Sequence, residues 1–169
     1  MADLSGKRAL VTGAGMGIGQ GIAVELARNG AAVAVHYAHT EPDETVAEIE
    51  KLGGKAATVQ GDLSRVSECE RTVDEAAEAL GGLDILVNNA GVTKALPFLE
   101  TDEETYDSVF DLNIKGYFFL ARRATPLMLE AGGGSIINVT SVHGFAGFPG
   151  TRPTRRRRAR STPLPVSSR

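Results

Sequence analysis

The chain has 169 residues, 42% hydrophobic and 23% charged, which suits one soluble domain built on a single core. No apolar run approaches the roughly 18–20 residues of a membrane span, and residues 1–8 lack the apolar stretch of a signal peptide. The single cysteine, Cys69, cannot make an internal disulfide and Cys/His ligand clusters are absent, so disulfide scaffolds and zinc modules drop out, no metal site is expected, and a cytoplasmic protein is the default. The net charge of −3 is unevenly spread: the last 19 residues hold seven arginines and no acid, which leaves 11 basic against 21 acidic residues in 1–150. An acidic, patterned body therefore ends near Thr151, and an Arg/Pro-rich tail, expected to be disordered, follows over 152–169.

Residues 8–12 predict a short buried strand, and a glycine-rich turn follows at 13–19. Ile22, Ala23, Leu26 and Ala27 at helical spacing predict a helix over 20–29 that stops at Gly30. A second strand spans 32–37. Thr40 is placed to cap a helix with Pro42 in its first turn and Val46, Ile49 and Leu52 on one face. A strand at 56–60, a helix at 65–80 and a strand at 83–87 repeat the alternation. Thr101-Asp-Glu-Glu104 reads as a capping box opening a long helix to about Glu130, and 135–139 is a fifth strand. Five strands alternating with four helices predict an α/β fold, a parallel sheet covered on both faces and doubly wound as in a Rossmann fold.

The first strand runs into Thr12-Gly13-Ala14-Gly15-Met16-Gly17-Ile18-Gly19 and a helix follows at once. Glycines there permit a tight turn and close backbone approach to a pyrophosphate, which the helix N-terminus attracts. The spacing Thr12-Gly-x-x-x-Gly17-Ile18-Gly19 resembles the fingerprint of the short-chain dehydrogenase/reductase family. Three further motifs of that family occur in order: Asp62-Leu63, Asn88-Asn89-Ala90-Gly91, and Ile137-Asn138-Val139-Thr140-Ser141. The resemblance covers residues 4 to about 151, and lies near the bacterial 3-oxoacyl-carrier-protein reductases and similar sugar dehydrogenases.

The resemblance implies a strand order of 3-2-1-4-5 and ligand binding at the C-terminal ends of the strands. It implies that Gly13, Gly15, Gly17, Ile18 and Gly19 cradle the pyrophosphate, that Asp62 binds the adenine amino group with Leu63 beside it, that Asn88 braces neighbouring strands, and that Asn89, Ala90 and Gly91 face the cofactor. Asp62 also reads as a cap for the segment starting near Ser64. Asn113, mid-helix among Val109, Phe110, Leu112 and Tyr117, resembles the active-site Asn that holds a water in a proton relay; a solvated helical Asn is the alternative. Ser141 resembles the serine that hydrogen-bonds the substrate oxygen. His143 fits either a pocket lining or a surface loop, and neither His36 nor His39 receives a chemical role. No acid stands before Glu41 at the end of the second strand, which leans toward NADP over NAD, although no Arg waits there for a 2′-phosphate. A small carbonyl or alcohol substrate and a homotetramer or dimer complete what the resemblance implies.

The pattern breaks after Thr151. The family's Tyr-x-x-x-Lys pair should fall at 154 and 158, where this chain has Thr154 and Arg158, neither of which replaces a phenol or an amine. With CCT, ACG, CGG, CGA, CGA and AGG chosen from the synonymous codons for residues 153–158, the same bases read one position out of frame as Ala-Tyr-Ala-Ala-Thr-Lys, a choice that returns Tyr and Lys in register. Residues 152–169 thus read as out-of-frame translation of a reductase gene. Two readings compete with an impaired reductase: a catalytically dead dinucleotide-binding module, and a nucleic-acid-interacting protein that uses Arg155-Arg-Arg-Arg158. Loss of the later helix–strand pairs is expected to uncover the face with Val109, Phe110, Tyr117 and Phe118, leave the fifth strand an open edge, and favour association.

Overall fold

The computed structural model describes residues 3–141. The Arg-rich tail, His143, and positions 154 and 158 lie outside the described residues. In chain order the elements are β1 (Arg8–Val11), α1 (Gly17–Arg28), β2 (Ala32–Tyr37), α2 (Asp43–Lys51), β3 (Ala56–Gln60), α3 (Val66–Leu80), β4 (Ile85–Asn88), α4 (Glu103–Phe110), α5 (Tyr117–Glu130) and β5 (Ser135–Asn138). A 3-10 turn at Phe98–Glu100 precedes α4, and a π-helical segment, Asp111–Gly116, joins α4 to α5. The five strands form one parallel sheet ordered β3-β2-β1-β4-β5.

Side-chain alternation along the strands divides the core in two. On one face Ala9, Val11, Val33, Val35 and Val87 meet Ala23, Ala27 and Ile49 of α1 and α2. On the other, Leu10, Ala34, Val59 and Leu86 meet Cys69, Val73 and Ala76 of α3 and Leu120, Ala124 and Met128 of α5. Small residues on α1 and α3 let these helices lie close to the sheet. At the N-terminal end of the strands, Arg8 clips β1 to the residue before β4: its Nε lies 2.7 Å from Asp84 Oδ2, and the guanidinium holds that carboxyl below its ordinary pKa. The opposite, C-terminal, end is thereby left to the glycine loop.

Several boundaries differ from the sequence reading. α1 begins at Gly17, because the glycine segment enters the helix instead of ending before it. The residue that caps α2 is Pro42, not Thr40, and its buried side chains are Thr45 and Ile49, while Leu52 is 45% exposed. Asp102, not Thr101, caps α4, accepting from Thr105 N–H at 2.8 Å, and the Thr101 hydroxyl turns back to Pro97 O. The helix from 103 to 130 is interrupted by the π segment. Val109, expected to be uncovered, is buried, whereas Phe118 is 63% and Leu129 70% exposed. Among the described residues β5 is an edge strand, exposed along its whole length.

Candidate functional site

At the C-terminal ends of β1 to β4 lies a cleft of about 1080 Å³, whose walls include Gly13, Gly15, His36, Tyr37, Asp62, Leu63, Asn89, Ala90 and Gly91. Its floor is the loop that leaves β1. Thr12 is fully buried there; its Oγ1 donates to Val87 O and accepts the N–H groups of Asn89 (2.9 Å) and Ala90 (3.0 Å). The Asn89 amide donates back to Thr12 O and Gly13 O at 2.9 and 3.1 Å. Thr45 of α2 donates to Ala14 O at 2.9 Å. The Gly13 N–H donates to His36 Nδ1 at 3.1 Å, and the ring's Nε2 lies 3.0 Å from Gly61 O. Four side chains from four segments thus hold one turn of backbone.

Two glycines are required by this geometry. Gly13 has φ +63°, and a Cβ there would stand 2.9 Å from Ala90 Cα. Gly19 sits inside α1, where a Cβ would overlap the Gly13 carbonyl and lie 2.5 Å from the Asn89 amide nitrogen. The first turn of α1 has no side-chain cap and, unlike the first turns of α2, α3 and α4, no acidic residue, so its N-terminal N–H groups and partial positive charge are not met by a carboxylate.

His36 is only 2% exposed, and burial lowers its pKa to about 4. The ring is neutral at pH 7, which leaves Nδ1 to accept from Gly13 and Nε2–H to donate to Gly61. Sequence reasoning assigned this residue no role, and the structure corrects that. The available signal was a histidine inside the otherwise apolar run Ala-Val-Ala-Val-His-Tyr, on the face that alternation turns inward. Thr12 and Thr45 were likewise missed as loop anchors.

Asp62 accepts from the Ser64 N–H (3.1 Å) and hydroxyl (2.7 Å), and these bonds lower its pKa. Its carboxylate therefore organises the turn after β3, while the N-cap of α3 is Arg65. Asn88 donates to Asn138 Oδ1 at 2.9 Å and more weakly to Tyr117 O, tying β4 to β5 and to α5. Asn113 lies in the π segment, half-buried, and is not simply solvated: Oδ1 accepts from Val92 N–H at 2.9 Å and Nδ2 donates to Val92 O at 2.8 Å. The π turn also brings Gly116 against Leu63, where a Cβ would lie 2.6 Å from the carbonyl oxygen. Ser141 stands three residues beyond β5 and is exposed. Gly17, Ile18, Gly19, Asn113 and Ser141 are not among the residues that line the cleft.

The sequence matches the family profile described as short chain dehydrogenase over residues 7–153. A short chain dehydrogenase/reductase of Aspergillus aculeatus is 45% identical over 145 residues, 85% of this chain and 55% of that protein. A 3-oxoacyl-(acyl-carrier-protein) reductase of Staphylococcus epidermidis is 40% identical over 146 residues, 85% of this chain and 60% of that protein. A hydroxynaphthalene reductase of Aspergillus fumigatus is 43% identical over 149 residues, 87% of this chain and 54% of that protein. Among solved structures, one described as a short-chain alcohol dehydrogenase from Sinorhizobium meliloti superposes with a TM-score of 0.85 at 48% identity, covering 88% of this chain and 59% of that one. The chain thus spans little more than half the length of these relatives.

Proposed function

The chain belongs to the short-chain dehydrogenase family, and we propose that its cleft binds a nicotinamide dinucleotide, NADP in preference to NAD, as the cofactor half of an oxidoreductase site. One observation carries this reading: a glycine turn fixed by Thr12, His36, Thr45 and Asn89 delivers backbone to the uncapped, acid-free start of α1. A dinucleotide fits that turn, since side chains at Gly13 or Gly19 would collide with the loop and fill the space next to a pyrophosphate. Gly13, Gly15, Gly17, Ile18 and Gly19 hold the pyrophosphate, Asp62 and Leu63 the adenine end, and Asn89, Ala90 and Gly91 the nicotinamide-ribose end. The preference for NADP rests on His36-Tyr37-Ala38-His39-Thr40, which puts no carboxylate at the end of β2 to take a ribose 2′-hydroxyl or repel a 2′-phosphate.

A bound nicotinamide would supply hydride-transfer chemistry toward a small carbonyl or alcohol substrate. The relatives named as reductases support that class. Ser141 donates a hydrogen bond to the substrate oxygen, and Asn113 orders the backbone at Val92 and a water beside it. With Thr154 and Arg158 where the family has Tyr and Lys, this chain lacks the proton donor and turns over little or not at all. That makes a binding-competent but catalytically silent module the specific form of the proposal. NADPH fluorescence titration of the purified chain tests it. Saturable binding, tighter than for NADH and without steady carbonyl reduction, is expected. Absence of binding overturns the assignment, and sustained turnover overturns the silent form. Residues 152–169 are read as out-of-frame translation; sequencing the source DNA across codons 146–160 should reveal one further base that restores Tyr and Lys, and an unchanged frame overturns this.

A further inference from the structure

Three of the four side chains that hold the glycine turn cannot change charge; the fourth is an imidazole. We propose that His36 is a positioning residue of the nucleotide site, whose neutral ring, by holding the Gly13 N–H and the Gly61 carbonyl at once, sets the turn in its binding shape. The proposal rests on the dinucleotide reading of the cleft.

The argument is geometric. β1 and β3 are the two neighbours of β2 in the sheet, and each runs into the cleft through a turn of its own: residues 12–15 after β1, residues 61–64 after β3. His36, one residue from the end of β2, lies between these turns and bonds to both, at 3.1 Å to Gly13 and 3.0 Å to Gly61. No other side-chain hydrogen bond among the described residues joins β2 to the glycine turn. The bond to Gly13 requires a lone pair on Nδ1. A proton there would set two donors face to face in a buried site, and the turn would have to move.

The surroundings favour the neutral ring. The charged group that acts on it is the Arg71 guanidinium of α3, which itself donates to Gln60 O, while the Asp62 carboxylate lies beyond Gly61 on the same cleft wall. Arg71 is paired with Glu68 and Glu75, and Asp62 is engaged by Ser64. Tyr37 and His39 lie on the chain that follows His36, and the turn after β1 brings no ionisable side chain. Burial and Arg71 both disfavour the proton, which is why the ring stays neutral down to about pH 4.

The test combines variants with a direct reading of the ring. His36→Asn keeps an acceptor and a donor on a shorter arm and cannot titrate; His36→Leu keeps bulk and removes both bonds. NADPH affinity at pH 7.5 should fall by about tenfold or more in the leucine variant and recover most of the way in the asparagine variant. The ratio of wild-type to asparagine-variant affinity, measured with acid-stable NADP⁺ so that the 2′-phosphate titrates alike in both, should stay level from pH 8 to about 5 and fall below that. In nitrogen-15 spectra of the unliganded wild type, Nδ1 should be bare at pH 7, coupled through the hydrogen bond to the Gly13 amide, and Nε2 should carry the proton. Equal affinity in wild type and both variants, an Nδ1 that carries the proton, or a ring that titrates near 6.5 overturns the proposal. The spectra decide it even where the leucine variant does not fold. A wild type with the expected ring state that binds no NADPH overturns the cofactor reading instead, and with it the role in binding.

Discussion

Asn113 shows how one residue can be misread at the level of propensity and still be found by its chemistry. An asparagine in a helix interior is unfavourable, which marks it in the sequence beside its resemblance to an active-site Asn. The structure supplies the compensation: both amide atoms pair with the backbone of Val92, as a neighbouring strand would. Asn113→Ala should therefore destabilise the chain by about 1–2 kcal/mol in urea denaturation, with faster amide exchange at Val92. An unchanged midpoint and unchanged exchange contradict that bracing role. His36 is the opposite case. Its neighbours Val35 and Tyr37 made the strand legible, yet its two bonds run to Gly13 and Gly61, which are 23 and 25 residues away, and only the sheet order brings them together. Gly19 was legible as part of a motif, but its reason, close approach to Gly13 and Asn89, is tertiary.

At the scale of elements, the apolar runs that form β1, β2 and β4 were readable because strands buried on both faces leave little room for polar residues. β2 and β3 fall at the expected residues, and the order β3-β2-β1-β4-β5 agrees with the expected one. Helix ends were less legible. The α2 start depended on Thr40, whose carbonyl oxygen instead abuts Gly15, where a Cβ would stand 2.8 Å away. The π segment was missed because its cause is not local: it aims Asn113 at Val92 and seats Gly116 against Leu63. In hindsight Asn113 and Gly116, two poor helix formers within one turn, mark where the helix departs from α geometry. The expectation of an open edge agrees with the exposure of Ile136 and Ile137 on β5 and of Phe118 on α5. Val109, on the same helical stretch, is instead buried.

For the whole molecule, the cleft follows from topology. The chain reverses its direction of winding between β1 and β4, and the turns after β1, β2, β3 and β4 gather at one end of the sheet. The four motifs that the sequence spreads over residues 12–141 all lie at that end. Seven of the ten residues expected to bind cofactor line the cleft, while Gly17, Ile18 and Gly19 belong to the start of α1 beside it. The acidic body and the Arg-rich tail offer two competing places for a phosphorylated ligand, and an affinity alone does not tell them apart. The decisive measurement is an amide chemical-shift map of the full chain titrated with NADPH. The account predicts saturable shifts at Gly13 to Gly19, Asp62, Leu63 and Asn89 to Gly91. Shifts confined to the arginines of 152–169, or no saturable shifts at all, would contradict it.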